Sequence, residues 1–225
     1  MVLRLMPHDN PGAVAIPALA PDNAPAVPWI IDYPIVLDHM RSLGMRSLYY
    51  QSGSFGFGSE APTHVVGWIG PADETIRPEA QPFTRQVAEP FEQNLAGLLI
   101  RAWREILPGR MWIMPGSHWA YELDFGSREW MPAVLEHVGI DPGMLQSRTN
   151  AAAIEFAPDE TAQAEHLVLR LLDMLAGSDF AVAFPHRPIT CTLHHHKQFW
   201  WTSPDATLID CLGSLMEPNK GPRRD

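Results

Sequence analysis

Cysteine is scarce in this sequence: only Cys191 and Cys211 occur among its 225 residues. Two thiols are too few for the disulfide framework that stabilises small secreted domains. They also do not form the Cys-x-x-Cys pair that zinc ribbons and dithiol redox sites use. We therefore expect two free, buried thiols that take no part in chemistry.

Basic residues are also few, because 16 lysines and arginines stand against 26 acidic residues, which gives a formal net charge of -10. An acidic surface opposes broad contact with nucleic-acid phosphates and with anionic lipid headgroups. The one compact basic stretch is KGPRRD, residues 220–225, and a solvated tail is its simplest interpretation. We expect neither a nucleic-acid partner nor a membrane partner.

Long apolar runs are missing as well. No stretch approaches the roughly 20 apolar residues that a bilayer-spanning helix needs. The beginning, MVLRLMPHDNPG, reaches proline and acid before a signal-peptide core could form. The default expectation is a cytoplasmic protein. Dinucleotide-binding, P-loop and Gly-x-Ser-x-Gly motifs are lacking too, so we expect no nucleotide cofactor and no serine nucleophile of that type.

The overall composition, 46% hydrophobic and 19% charged, is that of a folded domain with a real core. Seven of the 22 prolines fall within residues 1–34, where they disfavour long helices and central strands. We predict an extended Pro-rich arm over 1–34, a single α+β domain over 35–216 and a flexible tail over 217–225. The arm could lie on its own domain, join a homo-oligomer or remain a free tail.

Hydrophobic periodicity predicts two long helices, over 84–109 and 159–177, with Pro90 either kinking the first helix or marking its start. Shorter helices are predicted over 33–44 and 127–139. The remaining apolar segments predict strands, at 45–55, 63–70, twice within 110–126, and at 150–158, 179–184, 188–203 and 206–212.

From residue 110 onward the predicted order is two strands, a helix, a strand, a helix and two further strands. This order favours an α+β fold with a mixed or mostly antiparallel sheet covered by the two long helices. A ferredoxin-like arrangement would fit the C-terminal part.

Three consecutive histidines stand in CTLHHHKQFWWTSPD, residues 191–205. If 189–201 is one unbroken strand, side chains alternate, and His194 and His196 share a face with Cα atoms roughly 6.6 Å apart. Such a His-x-His pair can converge on a divalent cation, namely zinc, nickel, iron or manganese. His195 would point to the opposite face and stand outside the site.

Further ligands are available in HWAYELDF, residues 118–125. As a strand, this segment places His118, Glu122 and Asp124 on one side. If the two strands are neighbours, His194 and His196 gain His118 or Glu122 as a third ligand, and Asp124 becomes a general base. The sequence then predicts a metal-assisted hydrolase or lyase acting on a small polar substrate.

Two simpler interpretations remain open. Alternating His, Glu, Thr and Gln residues are also typical of the solvated face of an antiparallel sheet. The chain could be a non-enzymatic binding or oligomerisation module that uses the Pro-rich arm and exposed members of its eight tryptophans. A small-molecule ligand is compatible with either function, and whether the chain is an enzyme is left open by the sequence.

Overall fold

The structure is a computed structural model, and it describes residues 28–49, 55–59, 61, 63–71, 76 and 80–216. Most of the predicted arm, residues 1–27, and the predicted tail, 217–225, lie outside the described residues. The last part of the arm, 29–34, belongs to the fold itself, since it forms a strand and the start of a helix.

Most strands of the described ranges join one mostly antiparallel sheet of eight strands, in the order β1-β7-β6-β8-β9-β10-β4-β5, and within these ranges only β4 and β5 run parallel. The other two strands, β2 and β3, form a separate antiparallel pair. The strand bounds are β1 Trp29–Asp32, β2 Met45–Tyr49, β3 Phe55–Ser59, β4 His64–Ile69, β5 Thr84–Gln86, β6 Met111–Pro115, β7 Ala151–Phe156, β8 Phe180–Ala183, β9 Thr190–His194 and β10 Gln198–Ser203.

The described residues also form seven α-helices, a 3-10 turn at Gln81–Phe83 and a π-helical segment at Glu122–Gly126 that continues α3. The helix bounds are α1 Tyr33–Ser42, α2 Phe91–Glu105, α3 Trp119–Tyr121, α4 Met131–His137, α5 Pro142–Ser147, α6 Thr161–Met174 and α7 Ala206–Ser214.

A mostly antiparallel α+β fold is therefore confirmed, whereas its finer description is not. The sheet is covered by more than the two long helices α2 and α6, because α1, α4 and α7 also pack against it. A ferredoxin-like C-terminal part is not confirmed either. Strands β1 and β4 come from the N-terminal part and pair with β7 and β10, so the C-terminal strands do not form a sheet of their own.

Side-chain alternation gives the sheet two apolar faces. On β6, for example, Ile113 belongs to the larger core, and its neighbour Trp112 belongs to the smaller one. The larger core lies between the sheet and helices α2, α4, α6 and α7. The smaller core lies between the sheet, α1 and the β2–β3 pair. Among the described residues, the second face is therefore covered by fewer elements than the first.

Proline sets the beginning of α2. The predicted helix over 84–109 begins only after Pro90, because residues 84–86 pair with β4 as strand β5. Similarly, residues 206–212 were predicted as a strand and instead form α7. Asp205 explains this difference, since its Oδ1 accepts hydrogen bonds from the backbone amides of Thr207 and Leu208 at 2.9 and 3.4 Å.

The predicted strand over 118–125 is wrong, because this segment is helical. Trp119 and Leu123 are both buried and stand four residues apart, the spacing that aligns side chains on one helical face. The apolar positions that predicted a strand in this segment are therefore also compatible with a helix. The π-helical segment ends where the amide of Ser127 donates to the carbonyl of Glu122 at 2.7 Å.

The unbroken strand assumed over 189–201 is also wrong. The chain reverses between β9 and β10, so that His194 pairs with Gln198 across an antiparallel hairpin. The amide of Lys197 donates to the carbonyl of His194 at 3.1 Å, and Lys197 adopts a left-handed backbone conformation with φ of 60°. The three histidines therefore lie at a turn, and the face alternation expected of a strand stops at His194.

Candidate metal site

The turn between β9 and β10 gathers three imidazole rings, and residues 194–197 are called the histidine turn below. The ring centroids are 4.2 Å apart for His194 and His195, 4.9 Å for His194 and His196, and 4.5 Å for His195 and His196. One ligand nitrogen from each ring lies within 4.8 Å of the other two. The chain reversal thus brings the His195 ring, which a straight strand would direct to the opposite face, beside the other two.

These nitrogens stand somewhat wider apart than a bound cation requires. Zinc binds imidazole nitrogen at about 2.0–2.1 Å, so a tetrahedral site separates two such nitrogens by about 3.3–3.4 Å. His194 and His195 are half-buried and His196 is exposed. The backbone amide of His196 donates to His194 Nδ1 at 3.2 Å, so metal binding through His194 would use its Nε2 or would replace this hydrogen bond.

Asp179, which directly precedes β8, contacts two of the histidines. Its Oδ1 lies 3.0 Å from His195 Nδ1 and 3.9 Å from His194 Nε2, and it accepts the His195 backbone amide at 3.3 Å. A carboxylate on Nδ1 fixes the ring tautomer and leaves Nε2 with a lone pair for a metal. Asp179 therefore fixes the orientation of the His195 ring.

Lys197 ties the histidine turn to the rest of the fold. Its ammonium group donates to the carboxylate of Glu92 in the first turn of α2, and this hydrogen bond lowers the pKa of Glu92 below its usual value. The carbonyl of Lys197 accepts the amide of Gly70 at 2.9 Å. A Cβ atom at position 70 would lie 2.8 Å from that carbonyl oxygen, so glycine allows this close approach.

Glu122 lies in the interior with 0% of its surface exposed. Its Oε1 accepts the hydroxyl of Ser117 at 2.9 Å, and its Oε2 accepts those of Ser127 and Ser178 at 3.1 Å each. Ser178 directly precedes Asp179. Glu122 is therefore linked to the histidine turn through the chain at 178–179.

The predicted ligand set is only partly brought together. Among the described residues, the one cluster of three or more potential metal ligands comprises His194, His195 and His196. His118 is exposed at the start of α3, and Asp124 accepts a hydrogen bond from Gln146. The site predicted to combine the histidines with the segment around Glu122 depended on two unbroken strands, over 189–201 and 118–125. Neither forms as predicted.

Sequence reasoning missed His195 and Asp179. In the predicted unbroken strand His195 points away from the site. In the structure the histidine turn places its ring beside those of His194 and His196. Asp179 precedes β8, which pairs with β9 so that Phe180 lies opposite Leu193. If 180–183 and 190–194 had been recognised as a hairpin, continuing that register by one residue would have placed Asp179 opposite His194.

Comparison with protein-family models, with curated proteins and with solved structures gives no match for this chain. Among the described residues, no helix combines the length and the apolar character that a bilayer span requires. The functional argument therefore depends on the geometry of the site itself.

Proposed function

We propose that this protein binds a divalent metal ion at the histidine turn. The observation that supports the proposal is the convergence of three imidazole nitrogens within 4.8 Å, with the Asp179 carboxylate on Nδ1 of His195. This pairing of a carboxylate with a ligating histidine is a common feature of protein metal sites.

The donor set favours some of the expected metals over others. Three imidazoles suit zinc and nickel, whereas manganese is usually held by carboxylate and carbonyl oxygens. Three protein ligands on a tetrahedral zinc leave the fourth position to water, as in catalytic zinc sites. The half-exposed turn gives that position access to solvent.

Metal-assisted hydrolysis or elimination of a small polar substrate is the finer form of this proposal. A metal at the histidine turn would lower the pKa of its bound water and so supply a nucleophile near neutral pH. Asp179 would then hold His195 in place. The role of Asp124 as general base stays a prediction. To act as a base, Asp124 would have to give up its hydrogen bond to Gln146.

Metal analysis of the full chain tests the proposal. After incubation with zinc or nickel and removal of excess ion, we expect about one ion per chain, with loss of binding in the double variant H194A/H196A. D179N is expected to bind the metal about 10–100-fold more weakly, because removing the carboxylate partner of a ligating histidine typically lowers metal affinity by this factor. Calorimetric titration measures both.

H118A is the matched control, because it removes an exposed histidine that stands outside the cluster. We expect it to bind metal as the natural chain does, and a loss of binding would restore His118 to the ligand set. The whole proposal fails if no ion is retained and zinc, nickel and manganese all leave the melting temperature unchanged.

A binding or oligomerisation module is the second candidate, and one observation favours it. Trp29 is 55% exposed on β1, an edge strand of the large sheet, and only Pro28 separates it from the Pro-rich residues 1–27. Tryptophan is enriched where proteins contact one another. This function would use the β1 edge of the large sheet, which lies opposite the β4 and β5 edge.

A further inference from the structure

A hollow lies near the β4–β5 end of the large sheet, and none of its described lining residues belongs to the histidine turn. Its volume of about 610 Å³ falls within the range of small-molecule sites. Strand β4, the 3-10 turn before β5, β10 and α7 all contribute to it. Its described lining is Thr63, His64, Val65, Ala80, Phe83, Trp200, Ala206, Ile209 and Asp210.

One wall of this hollow is the indole ring of Trp200. Trp200 pairs with Gly67 on the neighbouring strand, and a Cβ atom at position 67 would lie 2.8 Å from the ring. The glycine therefore lets the ring lie against the backbone of β4. The indole Nε1 donates to Gln198 Oε1 at 2.8 Å, so its polar group already has a partner and the ring has a fixed orientation.

A second aromatic ring comes from Phe83, which ends the 3-10 turn. Phe83 is 52% exposed, so its ring is accessible to a ligand. Val65 and Ile209 add aliphatic side chains to the lining. The hollow therefore has an apolar lining with two aromatic rings, one fixed against the sheet and one at its rim.

The charge in this hollow comes from Asp210 on α7. Its carboxylate makes no hydrogen bond or ion pair with the side chains of the described residues. His64 is the other titratable group in the lining. Arg85 lines a smaller adjoining hollow of about 290 Å³, where its Nη1 donates to the carbonyls of Pro82 and Thr84 at 3.4 and 2.9 Å.

We propose that this hollow binds a small organic ammonium ion with a compact apolar body. Aromatic rings attract such cations through their negative faces, and a carboxylate adds direct charge complementarity. The net charge of -10 also favours the approach of cations. A neutral ligand of the same shape would gain only the apolar contacts. This site is separate from the metal site and does not depend on it.

Ligand-observed NMR on the full chain, with EDTA present, tests this assignment with choline as the probe and 3,3-dimethyl-1-butanol as its uncharged counterpart. We expect saturable binding of choline and about 10-fold weaker binding of the alcohol. D210N and F83A are each expected to weaken choline binding at least about 5-fold. Both substitutions affect exposed side chains, so the fold is expected to survive them.

D173N and F125A are the matched controls, since they remove an exposed acid on α6 and a 75% exposed phenylalanine that lie outside the hollow. Both are expected to bind choline as the natural chain does. Equal binding of choline and the alcohol, or full binding by D210N, would overturn the proposal. Failure to saturate at about 50 mM choline would do so too, since cation–π sites with charge pairing bind more tightly. Tighter binding of glycine betaine than of choline would also overturn it, because Arg85 would then be recognising a carboxylate.

Discussion

Glu122, which the sequence predicted as a metal ligand, is instead a buried carboxylate. Burying a carboxyl group is costly unless its oxygens are hydrogen-bonded, and here three serine hydroxyls meet that need. Gly126 allows this arrangement, because a Cβ atom there would lie 2.8 Å from Glu122 Oε2. The serines come from before α3, from the end of the π-helical segment and from before β8. Glu122 thus joins three separate parts of the chain.

The substitution E122Q is expected to destabilise the protein by about 1–3 kcal/mol, because an amide NH₂ replaces an oxygen that accepts serine hydroxyls. Urea unfolding followed by tryptophan fluorescence measures the change. E129Q, at an exposed position shortly after the π-helical segment, serves as the control and should change stability by less than about 0.5 kcal/mol. Equal stability of the two variants would show that the serine contacts contribute nothing.

The histidines themselves could be picked out from the sequence, but their arrangement could not. The deciding feature is the turn at Lys197, whose φ of 60° is uncommon for a residue with a side chain. Nothing in HHHKQ signals a reversal in the way that Asn-Gly or Asp-Gly would. Its stabilisation comes from the contacts of Lys197 with Glu92 and Gly70, which are more than 100 residues away in sequence.

Among the elements, the pairing of β4 with β10 depends on the fit of Trp200 over Gly67. G67A is expected to destabilise the protein by about 1–3 kcal/mol, because the new methyl group would lie 2.8 Å from the indole ring. G97A is the matched control, since a Cβ atom there meets nothing within 4 Å. It replaces glycine within helix α2 and should stabilise by about 0.5–1 kcal/mol. Thermal unfolding compares them, and equal shifts would argue against the packing described.

The contact between α4 and α6 includes two histidines, with the rings of His137 and His166 only 4.1 Å apart. Burial, followed by the charges of His137 and Arg170, lowers the pKa of His166 below 6.5. The unfolded chain therefore takes up this proton at a higher pH than the folded protein does. The contribution of His166 to stability is fully present above pH 6.5 and is lost as the pH falls below it.

H166Q should accordingly lose less stability than the natural protein between pH 7.5 and pH 5.5, since glutamine does not titrate. Urea unfolding midpoints at the two pH values give the comparison. H118Q, at an exposed histidine, should retain the acid sensitivity of the natural chain. An unchanged pH dependence in H166Q would assign the acid sensitivity to other groups.

Elements with long, regular patterns were predicted best. Helices α1 and α6, the main part of α2, and strand β7 all lie within their predicted segments. The failures occurred in short segments such as 118–125 and 206–212, where a few apolar residues fit either period. In the first segment the buried Trp119 and Leu123 stand at helical spacing, and in the second Asp205 caps the first backbone amides of the helix.

On the scale of the whole molecule, the sequence predicted the fold class and the antiparallel character of the sheet, but not the strand order. That order depends on pairings between distant segments, and local patterns carry no record of which strands become neighbours. Strand β1 illustrates this, because it was assigned to the arm and instead pairs with β7 at the edge of the sheet.

Removing residues 1–27 is expected to convert a dimer into a monomer, if the Pro-rich segment contacts a second copy beside the exposed Trp29. Size-exclusion chromatography with light scattering gives the mass of each chain. Removing residues 217–225 is the matched deletion and should leave the mass per particle consistent with a dimer. Identical oligomeric states for the full chain and the chain beginning at Pro28 would show that this segment does not hold subunits together.

The long-range pairing of β4 has a consequence for the protein during translation. Val66 lies opposite Trp201, so β4 leaves the ribosome 135 residues before its antiparallel partner (66 to 201). At about 5–20 residues per second, that interval lasts roughly 7–27 s. Until then the backbone groups along one edge of β4 have no antiparallel partner. During this interval cellular chaperones can bind the exposed strand of the nascent chain. The speed of synthesis should therefore affect the yield of folded protein more than it does for a protein whose strands pair locally.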